Sequence, residues 1–384
     1  MSDLLIRPGY HVVTNNTIEF IIPLEYNFVE YLGGGNYGNV ILVREECPEL
    51  QQGYVDLAVK KMYDPFSSII KARRLYREFK LLKLMNHENV IRFVDIYTPD
   101  VSLATLRNVY IVTRYAGLSL KTVLDKQKLS QCKLLQASHI KYIIYQILRA
   151  LKYLHSANVI HRDLKPSNLA ISSECDVTVL DFGLARTVSQ AGDNLTAYVI
   201  SRWYRSPEVI YWNNVSYNAK ADLWSVGCIM AELLTGEVLF RGAEAMEQYK
   251  LIVELCGAPD NELLGKIEAQ NSAAMRSVVE RMGDGRARQD FRKYFRGQPD
   301  GAIDLLDKFL VLDPDRRISV EEALTHPYVQ EHHLPSDEPI AKEPFNIDDQ
   351  NDAARTIEEW KEIIWNEIQD LNSQNENGEH METE

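Results

Sequence analysis

His161-Arg162-Asp163-Leu164-Lys165-Pro166-Ser167-Asn168 decides how this chain is read. It sets an acid, a lysine two residues on and a side-chain amide five residues on in one polar loop. The loop follows a long apolar helical stripe made by Ile140, Ile143, Ile144, Ile147, Leu148 and Leu151. Thirteen residues beyond Asn168, behind the apolar strand Val177-Thr178-Val179-Leu180, comes Asp181-Phe182-Gly183. A carboxylate at a glycine turn and an asparagine are hard oxygen donors of the kind Mg2+ takes. Each segment alone is an ordinary polar loop; their order and spacing together exclude coincidence.

Working back toward the amino terminus, Gly33-Gly34-Gly35-Asn36-Tyr37-Gly38 fits G-x-G-x-x-G. A dinucleotide-binding fold needs a helix directly after such glycines. Here Asn39-Val40-Ile41-Leu42-Val43 follows, β-branched and strand-like, so the glycines cap a hairpin. Glycine lets backbone N–H groups approach phosphates closely, although a bare Gly-rich turn has the same pattern. Ala58-Val59-Lys60-Lys61 puts a lysine at a strand end. Alone it is a surface lysine. A phosphate-binding role requires an acid to orient it, and Glu78, eighteen residues on, is the candidate.

The chain has 384 residues, 45% hydrophobic and 25% charged, which suits two domains or one bilobal unit and excludes collagen, coiled coil and wholesale disorder. No apolar run reaches the roughly 18 residues of a membrane helix, and MSDLLIRPGYHV lacks a signal-peptide core. Myristate and prenyl signals are missing too. Lys and Arg number 42 against 55 acids; residues 331–384 hold sixteen acids and three bases, so residues 1–330 are formally neutral. That distribution argues against nucleic-acid binding. Five scattered cysteines without a C-x-x-C pair read as reduced thiols.

Strand patterns cover a hairpin around 12–18 and the runs 28–32, 40–44 and 55–60; a helix is expected over 70–85, with Leu75, Phe79 and Leu82 on one face. Beyond about residue 118 the pattern is helical, including 224–234. The arginine-rich stretch 276–296 reads as a solvated face, 357–368 as a helix with Ile357, Trp360, Ile364 and Ile368 on one stripe, and the polar end from Asn372 as disordered. The expected class is α+β: a small β-rich lobe with one long helix, then a larger helical lobe.

Taken in order, glycine loop, strand lysine, His-Arg-Asp, Asp-Phe-Gly and Ser206-Pro207-Glu208 resemble the motif set of eukaryotic serine/threonine protein kinases over about residues 25–330. Asp222-Leu223-Trp224-Ser225-Val226-Gly227 and Arg317, the expected partner of Glu208, are further landmarks. Thr196-Ala197-Tyr198, followed by Arg202-Trp203-Tyr204-Arg205, is similar to the Thr-x-Tyr lip of mitogen-activated protein kinases; Pro65 to Ile70 and HSANVIHRDLKPSNLA resemble the stress-activated branch. The resemblance implies a bilobal kinase fold with an N-terminal extension (1–24), N-lobe (25–115), C-lobe (116–330, activation segment 181–208) and acidic extension (331–384) whose helix packs back on the N-lobe.

It also implies residue roles. ATP would be covered by Leu32, Gly33, Gly34, Gly35, Asn36, Tyr37, Gly38, Asn39 and Val40, with Ala58 and Ala170 helping Val40 to sandwich adenine and Thr113 as gatekeeper. Lys60, paired with Glu78, would hold the α and β phosphates. Asn168 and Asp181 would hold Mg2+. Asp163 would accept the substrate hydroxyl proton, and Lys165 would neutralise the transferring phosphate. Phosphorylated Thr196, bringing about −1.5 to −2 charges, would be met by Arg74, Arg77, Arg162 and Arg186 from both lobes, and phosphorylated Tyr198 by Arg202 and Arg205. Implied substrates are Ser-Pro or Thr-Pro sites; implied partners are an upstream dual-specificity MAP kinase kinase, and substrates and phosphatases with basic docking motifs. A monomer shared between cytoplasm and nucleus, without nucleic acid or membrane, is the corresponding expectation.

The departures are Ala197 for glycine, a lip a few residues longer, Ser201 for threonine and Ser206 for alanine. The acidic docking patch keeps Glu174, Asp337 and Glu338, fewer acids than is usual for the branch, so docking is expected to be weaker and more salt-sensitive. A catalytically silent scaffold of the same fold is the alternative; Lys60, Asp163 and Asp181, all present, weigh against it. An oxidoreductase fails because a strand follows the glycines.

Overall fold

The computed structural model describes residues 7–15, 18–35, 38–132, 134–187, 202–210, 218–347 and 355–376. Asn36, Tyr37, Thr196, Tyr198 and Ser201, together with residues 377–384, lie outside the described residues. The chain divides into two compact units, the first formed by residues 1–86, 91–115 and 347–384, the second by 87–90 and 116–346.

In the first unit β1 (Tyr10–Asn15) and β2 (Ile18–Pro23) form an antiparallel hairpin with Asn15 opposite Ile18. A five-stranded antiparallel sheet follows, from β3 (Tyr26–Gly35), β4 (Gly38–Glu46), β5 (Tyr54–Met62), β6 (Phe93–Tyr97) and β7 (Tyr110–Arg114), in the order β3-β4-β5-β7-β6. Strand alternation sorts its residues by face. Ile41, Val43, Leu57, Val59, Tyr110 and Val112 form one core with Phe20, Ile21 and Ile22 of the hairpin. Two tyrosines tie hairpin to sheet: Ile21 N–H donates to Tyr110 Oη at 3.1 Å, and Tyr97 Oη donates to Ile21 O at 3.2 Å. The opposite face carries Val40, Ala58, Lys60 and Thr113, because the register sets Val40 against Lys60 and Ala58 against Thr113.

Between β5 and β6 runs α1 (Ile69–Leu84), capped by Ser68, whose hydroxyl accepts from Lys71 N at 3.3 Å. Leu75, Phe79 and Leu82 are buried as their spacing requires, each side chain contributing about 1.5–3 kcal/mol relative to exposure.

Asp95 on β6 has a carboxyl that burial, with Glu25 and Glu45 nearby, pushes up to about 6, although its Oδ1 accepts from Ile96 N at 2.8 Å. The folded form therefore holds its proton longer than the unfolded chain does. That contribution is complete below the ordinary carboxylate value of about 3.8 and is lost as pH rises through 6. Asp95→Asn, which keeps the acceptor without the charge, should stabilise the protein by about 1–2 kcal/mol at pH 7.5, after allowance for solvent screening. Urea midpoints at pH 7.5 and pH 5 check this: the gain should shrink at the lower pH, and a gain independent of pH would refute it.

The second unit opens with β8 (Leu118–Ser119), α2 (Leu120–Ser130) and α3 (Ala137–Ser156), then β9 (Val159–Ile160), β10 (Leu169–Ile171), β11 (Val177–Val179) and β12 (Arg186–Thr187). Helices α4 (Pro207–Ile210), α5 (Lys220–Thr235), α6 (Ala245–Cys256), α7 (Asn261–Gln270), α8 (Ala273–Gly283), α9 (Phe291–Tyr294), α10 (Asp300–Phe309) and α11 (Val320–Leu324) complete it. Helix α5 is buried from Ala221 to Leu234, and Gly227 lets it touch α10: a β-carbon there would lie 2.8 Å from Phe309 Cβ. In the arginine-rich stretch Arg276, Arg286 and Arg288 pair with Glu268, Glu254 and Asp307, all exposed or nearly so.

Helix α12 (Ile357–Glu376) returns to the first unit. It continues past Asn372, where the sequence alone suggested disorder. Trp360, Ile364, Ile368 and Leu371 form its buried stripe. The Trp360 ring sits 5.2 Å from that of Tyr76 on α1, and Glu367 pairs with Lys80 and Lys83 of the same helix.

Candidate active site

The first unit holds a glycine hairpin and an ion pair. Gly33, at φ +147°, lies opposite Val40, and Gly35 opposite Gly38, so the three glycines sit where β3 turns into β4. On β5, Lys60 Nζ lies 2.5 Å from Glu78 Oε1 of α1. The acid is almost fully buried and the lysine one-fifth exposed. A strand lysine is thus fixed by a helix glutamate, on the same sheet face as Val40, Ala58 and Thr113.

The second unit holds the loop after α3. Its anchor is Asp222, buried in the first turn of α5. One carboxylate oxygen, Oδ1, accepts from Arg162 N at 2.9 Å; Oδ2 accepts from His161 N at 2.9 Å and meets His155 Nε2 at 3.0 Å. Burial pushes this carboxyl up, but the His155 hydrogen bond, the neighbouring imidazoles and the Arg162 amide outweigh it and hold it below the usual range. Sequence reading met Asp222 only as a landmark; its place in the first turn of an otherwise apolar helix was the available signal.

His161 Nδ1 accepts from Asp163 N at 3.3 Å, which leaves Nε2–H to donate to Leu180 O at 2.9 Å. Arg162 and Asp181 adopt φ +70° and +58°, costly for non-glycine residues and sustained here by the surrounding bonds. Asp163 Oδ2 lies 2.5 Å from Lys165 Nζ and accepts from Asn168 Nδ2 at 3.0 Å; the same amide donates to Asp163 O at 2.8 Å. Among the described residues Asp163 Oδ1 accepts nothing, so one oxygen is pinned and the other is left for a substrate proton.

Leu180 N donates to Asn168 O at 2.9 Å, tying the backbone before Asp181 to Asn168. The Asn168 amide nitrogen is committed to Asp163, which leaves its side-chain oxygen as the donor atom; that oxygen and the Asp181 carboxylate are hard oxygen donors of the kind that suit Mg2+. Ala170 is buried on β10, opposite Ser119.

Residues 26–329 match the protein kinase domain family. Mitogen-activated protein kinase pmk-3 of Caenorhabditis elegans is 51% identical over 96% of this chain and 79% of its own length. Mitogen-activated protein kinase pmk-1 of the same worm is 43% identical over 95% and 91%, and mitogen-activated protein kinase 14 of Xenopus laevis 44% over 94% and 93%. The chain belongs to the mitogen-activated protein kinases. It is a protein serine/threonine kinase with the two-lobed kinase fold, and it uses ATP and a divalent metal.

In this MAP kinase the six arginines expected to meet the lip phosphates divide between the units. Arg74 and Arg77 lie on α1, Arg77 buried. Arg162 precedes Asp163, and Arg186 pairs across β12–β9 with Ile160. Arg202 Nη1 donates to Ala243 O at 3.4 Å, while the buried Nε of Arg205 has no hydrogen-bond partner among the described residues. The kinase's Glu208–Arg317 pair forms as the family resemblance implies, at 2.8 and 3.1 Å.

One docking acid needs correction. Glu338 has a wholly buried side chain, with one oxygen 3.0 Å from Lys152 Nζ and the other 2.7 Å from His333 Nδ1. Burial pushes its carboxyl up, but the hydrogen bonds from Lys152 and His333 outweigh it and hold it below the usual range, so it is an internal strut and not a docking charge. Asp337 is more than half exposed but pairs with Arg149 at 3.1 Å, which also binds Glu88. Glu174 is exposed.

Proposed function

We propose that this MAP kinase serves a stress-response cascade, transferring the ATP γ-phosphate to serine or threonine before proline in other proteins, once Thr196 and Tyr198 are phosphorylated by an upstream dual-specificity kinase. The half-engaged Asp163 carboxylate carries this reading. Its Oδ1 takes the substrate hydroxyl proton as that oxygen bonds to the γ-phosphorus and the bond to ADP breaks. Lys165, next to Oδ2, offsets charge on the moving phosphoryl group. Asn168 and Asp181 would hold Mg2+, whose chemistry there is neutralisation of phosphate charge. Lys60, oriented by Glu78, holds the α and β phosphates beneath the glycine hairpin, and Val40, Ala58 and Ala170 receive adenine. Specificity for proline and the response to Tyr198 phosphate rest on Arg202 and Arg205.

Partners with basic linear segments dock through Asp337, Glu174 and Glu88, and the monomer works in cytoplasm and nucleus. Because Arg149 already offsets Asp337, docking affinity should fall steeply with salt; a salt-indifferent peptide affinity would refute this. The decisive assay is transfer from Mg-ATP to Thr-Pro and Thr-Ala peptides by chain phosphorylated at Thr196 and Tyr198 and by unmodified chain. Strong, proline-dependent transfer confined to the phosphorylated form is expected. ATP binding without transfer in either form would favour a scaffold.

A further inference from the structure

The glycine hairpin carries a hydrogen bond on its outer face. Tyr31 Oη donates to Asn39 Oδ1 at 2.8 Å. The register places Tyr31 opposite Ile41 and Gly34 opposite Asn39, with a bulge between Tyr31 and Gly33, so the tyrosine reaches from β3 past Gly34 to β4. The bond passes directly over Gly34: a β-carbon there would collide with both Asn39 Oδ1 and Tyr31 Oη. Asn39 is only 2% exposed, and its Nδ2 has no hydrogen-bond partner among the described residues.

Face matters here. Alternation along β4 puts Asn39 on the side of Ile41 and Val43, away from Val40, Ala58 and Lys60. Beside it on that face, Lys61 lies opposite Asn39 and its Nζ donates to Glu19 O of β2 at 2.6 Å. Asn39 therefore cannot serve as a direct ligand of anything held on the Lys60 face. What it can do is set the shape of the hairpin. A ribbon whose turn is flanked by four glycines at 33, 34, 35 and 38 has little side-chain packing of its own to fix that shape.

We propose that Tyr31 and Asn39 are positioning residues for the nucleotide: their hydrogen bond clasps the glycine hairpin from outside and holds it in the conformation that receives the ATP phosphates. This rests on the assignment of that hairpin to ATP. A side chain at position 34 would then displace the clasp, because Tyr31 Oη and Asn39 Oδ1 occupy its space. Plain packing of a half-exposed tyrosine would stabilise the strands without a preference for nucleotide.

The test uses the full chain as wild type, Tyr31→Phe, Asn39→Ala and the double variant. It measures Kd for MgADP by calorimetry, thermal midpoints, and KM for ATP and kcat of the phosphorylated enzyme. Each single variant should raise Kd for MgADP and KM for ATP about 3- to 10-fold, as expected for one part-buried hydrogen bond, with a smaller change in kcat. The double variant should be no weaker than the worse single one, because both remove the same bond. A lowered thermal midpoint with unchanged nucleotide affinity, or strictly additive losses, would overturn the clasp while leaving the ATP assignment intact. Failure of the wild type to bind MgADP would remove that assignment and the clasp with it.

Discussion

Asp163→Asn is expected to lower kcat of the phosphorylated kinase by about 10²- to 10⁴-fold, the usual range for a general base. The side chain keeps its shape, and the Asn168 amide can still donate to the new carbonyl oxygen and to the residue 163 backbone oxygen. What disappears is the basic Oδ1 and the charge facing Lys165 Nζ at 2.5 Å. MgATP affinity should stay within about twofold, because Lys60, Glu78, Asn168 and Asp181 are untouched. Single-turnover transfer to a Thr-Pro peptide, with nucleotide binding measured beside it, separates the possibilities. A loss under tenfold would show that Asp163 is not the proton acceptor. Lost nucleotide binding would show that the loop had come apart.

The second large effect belongs to Arg317, which lies outside the chemistry. Its side chain is fully buried and all five of its N–H groups are used. Nη1 reaches Glu208 Oε1 at 2.8 Å and Lys220 O at 2.7 Å; Nη2 reaches Glu208 Oε2 at 3.1 Å and Leu312 O at 3.4 Å; Nε reaches Val311 O at 3.0 Å. The guanidinium also lies 5.1 Å from the Trp224 ring centroid. Removing one partner of a buried pair costs about 3–5 kcal/mol, since the other charge is stranded. Arg317→Leu should lose that much stability in urea unfolding. Arg317→Lys should lose most of it as well, because a lysine cannot reproduce the planar fork. A loss below about 1 kcal/mol for the lysine variant would contradict this account.

Placements that depend on neighbours in sequence are legible in the sequence alone. The Asp163 loop, the Asp181 turn and the glycine hairpin are short segments, and Lys60 and Glu78 are joined by one strand and one helix. Glu208 and Arg317 were paired through family resemblance. Interactions formed by tertiary packing were not legible. Nothing local says that Asp222 holds two amides of a loop some sixty residues earlier, or that Lys152 and His333 close over Glu338. Strands β6 and β7 escaped notice because β6 carries Asp95 at its centre and β7 ends in polar residues. Helix α12 outruns its apolar stripe by several polar residues, which cost little in a helix already anchored by Trp360 and Ile368.

The return of α12 to α1 makes the first unit discontinuous in the order of synthesis. Its sheet is complete once residue 115 has been made, but Trp360, which packs beside Tyr76, and Glu367, which pairs with Lys80, come only later. At about 5–20 residues per second, the ribosome adds those residues roughly 12–50 s later. For that interval the helix bearing Glu78 must present its Trp360-binding face to water or to a chaperone. The last of the described helices thus acts as the closing step of the part that was built first.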